Sequence, residues 1–316
     1  MNLTTDLRAH KVLFIIGPTA VGKTELSLDV AEHLDGEIVS ADSRQIYKYL
    51  DIGTAKPTQT ERDRVPHHFI DICYPDQNYS AGQYGREARI CIRQIQSRHK
   101  RAIVVGGSGF YIRALVEGLF APKMSDPAVK EKWRQQIRNV GNEKVFHLLK
   151  RVDPVTAERL HPNDTQRIVR ALEVWELSGR PISAYRQGEE KAADFVPVFI
   201  GLSRAREILY RRIDDRVDQM IAAGLVEEVK NLQKMGYGPK LNALRTVGYQ
   251  EVFDYLAGTL DYATMIQTIK QNTRRFAKRQ LTWFRRDLRI HWMDIENKSP
   301  GDIQKKILTK LVADRE

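Results

Sequence analysis

The sequence predicts an α/β protein, in which a parallel sheet bearing a phosphate-binding loop is interrupted by a helical insertion and completed by a helical C-terminal part. Three observations predict it. A β-forming apolar run, Val12-Leu13-Phe14-Ile15-Ile16, breaks at Gly17-Pro18 and leads into a helical pattern. Strand, helix and strand recur within about thirty residues, the span of a unit that joins parallel strands right-handedly. Between two later apolar runs the pattern turns helical, polar and rich in arginine.

Taken in order, 12–16 reads as a strand buried on both faces, because its apolar run is continuous instead of alternating. A helix follows over 24–34, with Leu26, Leu28, Val30 and Leu34 on its apolar face, then a short strand at 37–40. Further buried strands are expected at 101–107 and 197–202. From 122 to 194 the chain is punctuated by Pro127, Pro154, Pro162 and Pro181 and reads as an inserted helical subdomain. The expected division is therefore a core of 1–121 with 195–316, and an insertion of 122–194. After Ser203 two long helices are expected, over 204–235 and 261–288.

The bulk properties narrow the classes. With 316 residues, 42% hydrophobic and 29% charged, the chain can bury a sizeable core and is not disordered. Lys and Arg outnumber Asp and Glu by 51 to 40, a formal charge of +11 that suits a polyanionic partner. Two cysteines, Cys73 and Cys91, make neither a disulfide framework nor a zinc cluster, so a reducing compartment is expected. No stretch has the length of a membrane span, and the polar start does not resemble a signal peptide. A cytoplasmic protein with no membrane partner is the expectation.

Gly17-Pro18-Thr19-Ala20-Val21-Gly22-Lys23-Thr24 has the spacing of a P-loop, and its strand before and helix after supply the confirming context. Its glycines let successive N–H groups turn toward a phosphate, Lys23 adds a cation, Thr24 offers a hydroxyl to Mg²⁺, and the helix presents its positive end. The core is thus expected to be P-loop NTPase-like. An ordinary nucleotide hydrolase or kinase also needs an acid at the end of a second apolar strand. Here that strand runs into Gly106-Gly107-Ser108, and Asp71 is a weak substitute. Asp42 follows the second strand beside the mouth of the loop, where it can serve either as a reacting carboxylate or as a turn cap.

With these stretches in view, the chain resembles the bacterial tRNA dimethylallyltransferases (tRNA isopentenyltransferases). The matching segments are 17–24, 41–47, 51–57, 106–111, 161–174, 245–250 and 278–285, in the family's order and across nearly the whole chain. The resemblance implies a monomeric enzyme that moves a dimethylallyl group from dimethylallyl diphosphate to N6 of the adenine 3′-adjacent to the anticodon of certain tRNAs. Residues 17–24 would hold the diphosphate with Mg²⁺ on Thr24. Asp42 would be the general base, Lys23 a catalytic cation, and Ser108, where the family usually has Thr, a hydroxyl that seats the base. Contacts to the tRNA anticodon stem-loop would come from Asp42, Ser43, Arg44, Gln45, Ser108 and Lys130. Further contacts would come from Gln166-Arg167-Ile168-Val169-Arg170, Arg245-Thr246-Val247-Gly248-Tyr249-Gln250, and Lys278-Arg279-Gln280-Leu281-Thr282-Trp283-Phe284-Arg285. The chain ends at Glu316 without the zinc finger of the eukaryotic relatives, so the bacterial type is expected.

Each segment also has a plainer reading. Residues 161–174 suit a surface helix capped by Asn163 or Asp164, and Trp283 suits a core position. Arg212 and Arg216 could reach a diphosphate, but Asp214, Asp215 and Asp218 on the same helix could pair with them. His67 and His68 lack companion ligands and read as structural. An adenylate isopentenyltransferase, a P-loop kinase of small metabolites and an RNA-binding NTPase are the alternatives. The first lacks the RNA-binding extensions, the second leaves the basic aromatic helix unexplained, and the third leaves Asp42 without a purpose.

Overall fold

A computed structural model of the chain describes residues 11–118, 124–187 and 193–313. The expected boundaries at 121/122 fall outside the described residues. The chain divides into two compact units, one ending at Val116 and resuming at Ala193, the other beginning with Glu117 between them.

In the first unit, β1 (Lys11–Ile16) leads through the loop into α1 (Lys23–His33) and β2 (Gly36–Ser40). Next come α2 (Gln59–Arg64), β3 (His67–His68), α3 (Ala81–Ser97), β4 (Arg101–Gly106) and α4 (Gly109–Glu117). The second unit holds α5 (Pro127–Val140), α6 (Asn142–Val152), α7 (Pro154–Ala157) and α8 (Thr165–Ser178). The first unit resumes with β5 (Val196–Ser203), α9 (Arg206–Ala222), α10 (Leu225–Lys234) and α11 (Tyr249–Leu256). It ends with α12 (Tyr262–Phe284), β6 (His291–Asp294) and α13 (Pro300–Ala313).

The sheet is parallel throughout, in the order β3-β2-β4-β1-β5-β6. β1 lies inside it, with Phe14 level with Val104 on one side and Phe199 on the other. Strands covered on both faces must be apolar at every position, and Val12, Phe14, Ile15 and Ile16 are completely buried. The C-terminal ends of β1, β2 and β4 therefore open on one edge, where the loop, Ala41-Asp42 and Gly106-Gly107-Ser108 follow. Ligands of open α/β sheets bind at that edge.

The four strands expected from apolar runs are present. The long helix expected over 204–235 is two, α9 and α10, because Gly224 takes a left-handed conformation (φ +101°) that ends one and starts the other. The helix expected over 261–288 ends at Phe284. Among the described residues, no helix is long and apolar enough to cross a membrane. The second unit has its own core, built on Trp133, Phe146, Leu149, Ile168 and Leu172. Asp126, Asp153 and Asp164 cap three of its helices, and Asp164 rather than Asn163 accepts from the Arg167 N–H.

Candidate active site

The loop after β1 is wound tightly against its neighbours. Gly17 has φ +153°, and a Cβ there would lie 2.9 Å from the Leu202 carbonyl oxygen of β5. Ala20 sits in the left-handed region at φ +62°, costly for a residue with a side chain. The fold holds it there: Arg212 Nε donates to Ala20 O (2.9 Å) and Arg204 Nε to Val21 O (2.9 Å). Lys23 folds back and donates to Gly17 O (3.1 Å) and Pro18 O (2.8 Å). Burial pushes its ammonium down to about 8, against the upward pull of Asp42 and helped by Arg216. Burial, and then Arg212, likewise disfavour the charge of Arg216. Lys23 and Arg216, both partly withdrawn from solvent, stand with Arg204 and Arg212 around the loop, and such a cluster of cations favours a polyanion.

At the ends of β2 and β4, Ala41 N donates to Val105 O (2.7 Å) and Ser108 N to Ala41 O (3.1 Å), which sets Ser108 beside the Asp42 turn. Gly106 is required because a Cβ there would run into the Ala41 carbonyl. Asp42 Oδ1 accepts from Arg44 N (2.8 Å) and Gln45 N (3.4 Å), so the capping role is real. It occupies one carboxylate oxygen and leaves the side chain partly exposed. Asp42, Ser108, the loop, Arg212, Arg216, Phe276 and Trp283 all line one cavity of about 1120 Å³. Asp71, the weak candidate for an NTPase metal site, is held by Lys56 (2.5 Å) and Arg62 (2.9 Å). His68 is bound to Glu37 (2.7 Å) and His67 to the Val65 carbonyl (2.7 Å), and His67 also borders the cavity.

The 245–250 segment borders the same cavity, but its residues divide by role. Arg44 donates to Asn242 O (2.6 Å) and Ala243 O (3.3 Å), and Gln250 Nε2 to Leu244 O (2.9 Å), so these two side chains build the loop. Gln45 Nε2 donates to Thr54 O (3.2 Å) and Ala55 O (3.1 Å). Tyr249, expected at the RNA, is wholly buried with its hydroxyl on Glu228 (2.6 Å). Phe284 is likewise a core side chain, as are Ile168 and Val169 in the second unit. These four cannot offer side chains to RNA; each falls on the inward face of its element. Lys278, Arg279 and Thr282 are exposed on α12, Arg285 at its C-terminal cap, and Gln166 and Arg167 on α8. Lys130 and Arg170 converge on the buried carboxylate of Glu173, at 3.6 Å and 2.6 Å.

Two features carry more weight in the structure than in the sequence. Asp214 and Asp218 pair with Arg274 (2.5 Å) and Lys270 (2.7 Å) of α12, leaving Arg212 and Arg216 to face the loop. The spacing of four that puts both arginines on one helical face is the signal the sequence offers. Arg204 carries no such signal, because its approach to Val21 depends on how β5 meets β1.

The chain is similar to known proteins over most of its length. Residues 45–287 match the family model described as IPP transferase. A tRNA dimethylallyltransferase 2 of Geotalea uraniireducens is 49% identical over 285 residues, covering 90% of this chain and 92% of that protein. A tRNA dimethylallyltransferase of Carboxydothermus hydrogenoformans is 45% identical, covering 96% and 97%. Among solved structures, the tRNA isopentenylpyrophosphate transferase of Bacillus halodurans is 37% identical with a TM-score of 0.71, covering 96% of this chain and 97% of that one. A eukaryotic dimethylallyltransferase solved acting on tRNA is 28% identical with a TM-score of 0.79, covering 97% and 80%.

Proposed function

The chain belongs to the IPP transferase family of tRNA dimethylallyltransferases, and from that premise we propose how its cavity transfers a dimethylallyl group. The donor is dimethylallyl diphosphate and the acceptor is N6 of the adenine 3′-adjacent to the anticodon. One observation carries this reading: the phosphate cradle and the Asp42 carboxylate line a single cavity. A hydrolase would need only the cradle and a water; a carboxylate across the same space suits a nucleophile that must lose a proton.

The diphosphate lies in the loop, with Lys23, Arg212 and Arg216 around it. The adenine leaves its stack to enter, as a base must for chemistry on its ring substituents. N6 attacks the allylic carbon as the C–O bond breaks, and the bonding pair leaves with the diphosphate. Asp42 accepts the N6 proton through the oxygen not committed to the turn, offsetting the weak nucleophilicity of a delocalised amine. Lys23 and the arginines stabilise the charge that builds on the leaving group. Ser108 Oγ, beside Asp42, orients the base.

Thr24, in the first turn of α1, is the residue that would hold Mg²⁺. Among the described residues no cluster of three or more His, Cys, Asp or Glu could hold a metal ion. A hydroxyl supplemented by phosphate oxygens and water fits Mg²⁺, which keeps much of its hydration. Bound there, it would neutralise charge on the departing diphosphate. We assign the reaction to an enzyme acting as a monomer in the cytoplasm.

The test is incubation with labelled dimethylallyl diphosphate and, separately, an unmodified anticodon stem-loop, AMP or ATP. Label in the stem-loop alone is expected. Label in AMP or ATP would establish the adenylate enzyme instead, and ATP turnover without prenyl transfer would establish a kinase or NTPase.

A further inference from the structure

Ser108 lies between two glycines, and the structure gives a reason for both. A Cβ at Gly107 would run into the side-chain amide of Gln280, and a Cβ at Gly109 into the indole of Trp283. Gln280 and Trp283 are three residues apart on α12, so they project from one face and straddle the Ser108 turn. Gln280 also reaches the phosphate cradle. Its Oε1 accepts from Thr19 N (2.9 Å) while its Nε2 donates to Gly107 O (3.0 Å), and the residue is 8% exposed. One buried amide thus ties together the first turn of the cradle, the Ser108 turn and α12. The adjoining residues Lys278, Arg279 and Thr282 of that helix, and Arg285 at its cap, are exposed.

We infer that Gln280 is a positioning residue rather than an RNA contact, coupling RNA docking on the exposed face of α12 to the shape of the diphosphate cradle. The inference rests on the proposed function, which supplies both ligands. A buried amide bonded at both ends is not available to RNA, and losing it would strand the Gly107 carbonyl without that partner. Any shift of α12 under the pull of RNA phosphates moves the Gln280 amide, and with it the Thr19 N–H and the backbone that carries Ser108. By linkage, the same tie makes a filled cradle favour RNA.

The test is the affinity of inorganic pyrophosphate with Mg²⁺, measured with and without a saturating unmodified anticodon stem-loop. Wild type should bind pyrophosphate about tenfold more tightly with the RNA present, within the usual range of coupling between sites. Gln280→Met keeps the length of the side chain but removes both hydrogen bonds, and should bring the ratio close to one. Gln280→Glu keeps the acceptor for Thr19 N–H and loses the donor to Gly107 O, giving an intermediate ratio. Gly107→Ala, which displaces the amide from outside, should behave like Gln280→Met if that variant folds poorly. A purely structural role would lower the melting temperature and leave the ratio unchanged. Wild type that transfers prenyl to RNA but shows no coupling, or variants that keep the wild-type ratio, would overturn the inference alone. Wild type that transfers no prenyl to RNA would overturn it together with the proposed function.

Discussion

Affinity for the donor should fall as the pH rises through the Lys23 titration. In the ligand-free fold burial holds this ammonium at about 8, against 10.5 for an ordinary lysine. A bound diphosphate supplies the counter-charge that burial removes, so the bound form keeps its proton into the ordinary lysine range. The difference of about 2.5 units corresponds to roughly 3 kcal/mol of linked free energy. The sign follows from the order of the two values. Below pH 8 free and bound protein both carry the proton, and affinity is flat. Between about 8 and 10.5 the free protein has lost a proton that binding must recover, so Kd should rise about tenfold per pH unit. The phosphate groups contribute little to this slope, having their own last ionisation near 6. The assay is titration calorimetry with dimethylallyl diphosphate at pH 7.5, 8.5 and 9.5, at fixed free Mg²⁺, in two buffers of different ionisation heat. About a twenty-fold loss of affinity from pH 7.5 to pH 9.5 is expected, with uptake of close to one proton at the upper pH. Lys23→Met should bind weakly at every pH and lose the slope. Wild type with level affinity and no proton uptake would refute the reasoning, as would an undiminished slope in Lys23→Met.

Asp42→Ala should lower kcat by about 10² to 10⁴ with little change in RNA affinity. Because Asp42 also caps its own turn, melting temperature is measured beside turnover; near-normal kcat in a folded variant would remove Asp42 from the base role. Arg279→Ala or Arg285→Ala should weaken RNA binding evenly across sequences and reduce the slope of log affinity against log salt by about 0.7 to 0.9 for each phosphate no longer neutralised. Unchanged affinity and slope in both would make this face of α12 a solvated surface, with the RNA held elsewhere.

What the sequence determined by itself was local. The phosphate loop is eight consecutive residues whose glycine, lysine and threonine spacing marks it within the segment, although partners elsewhere in the fold hold its conformation, and β1 announces itself because a strand covered on both faces must be apolar throughout. Asp42 was legible for a related reason: a residue just past a parallel strand lies at the ligand-binding edge whatever surrounds it. β3 and β6 were not legible. One is only two residues long, and the other, His291-Trp292-Met293-Asp294, is an edge strand with no buried apolar run to mark it. The tertiary structure alone decided which members of each family-matched segment face inward. Tyr249, Ile168, Val169 and Phe284 sit in the same short stretches as exposed partners, and burial depends on what packs against each element rather than on the stretch itself. It also decided where the cations of α9 point, since the acids beside them found partners on α12, 52 and 60 residues away. The grip of Gln280 on Thr19 spans 261 residues. Nothing local at either end requires it, because a hydrogen bond across that separation exists only once the sheet and α12 have packed together.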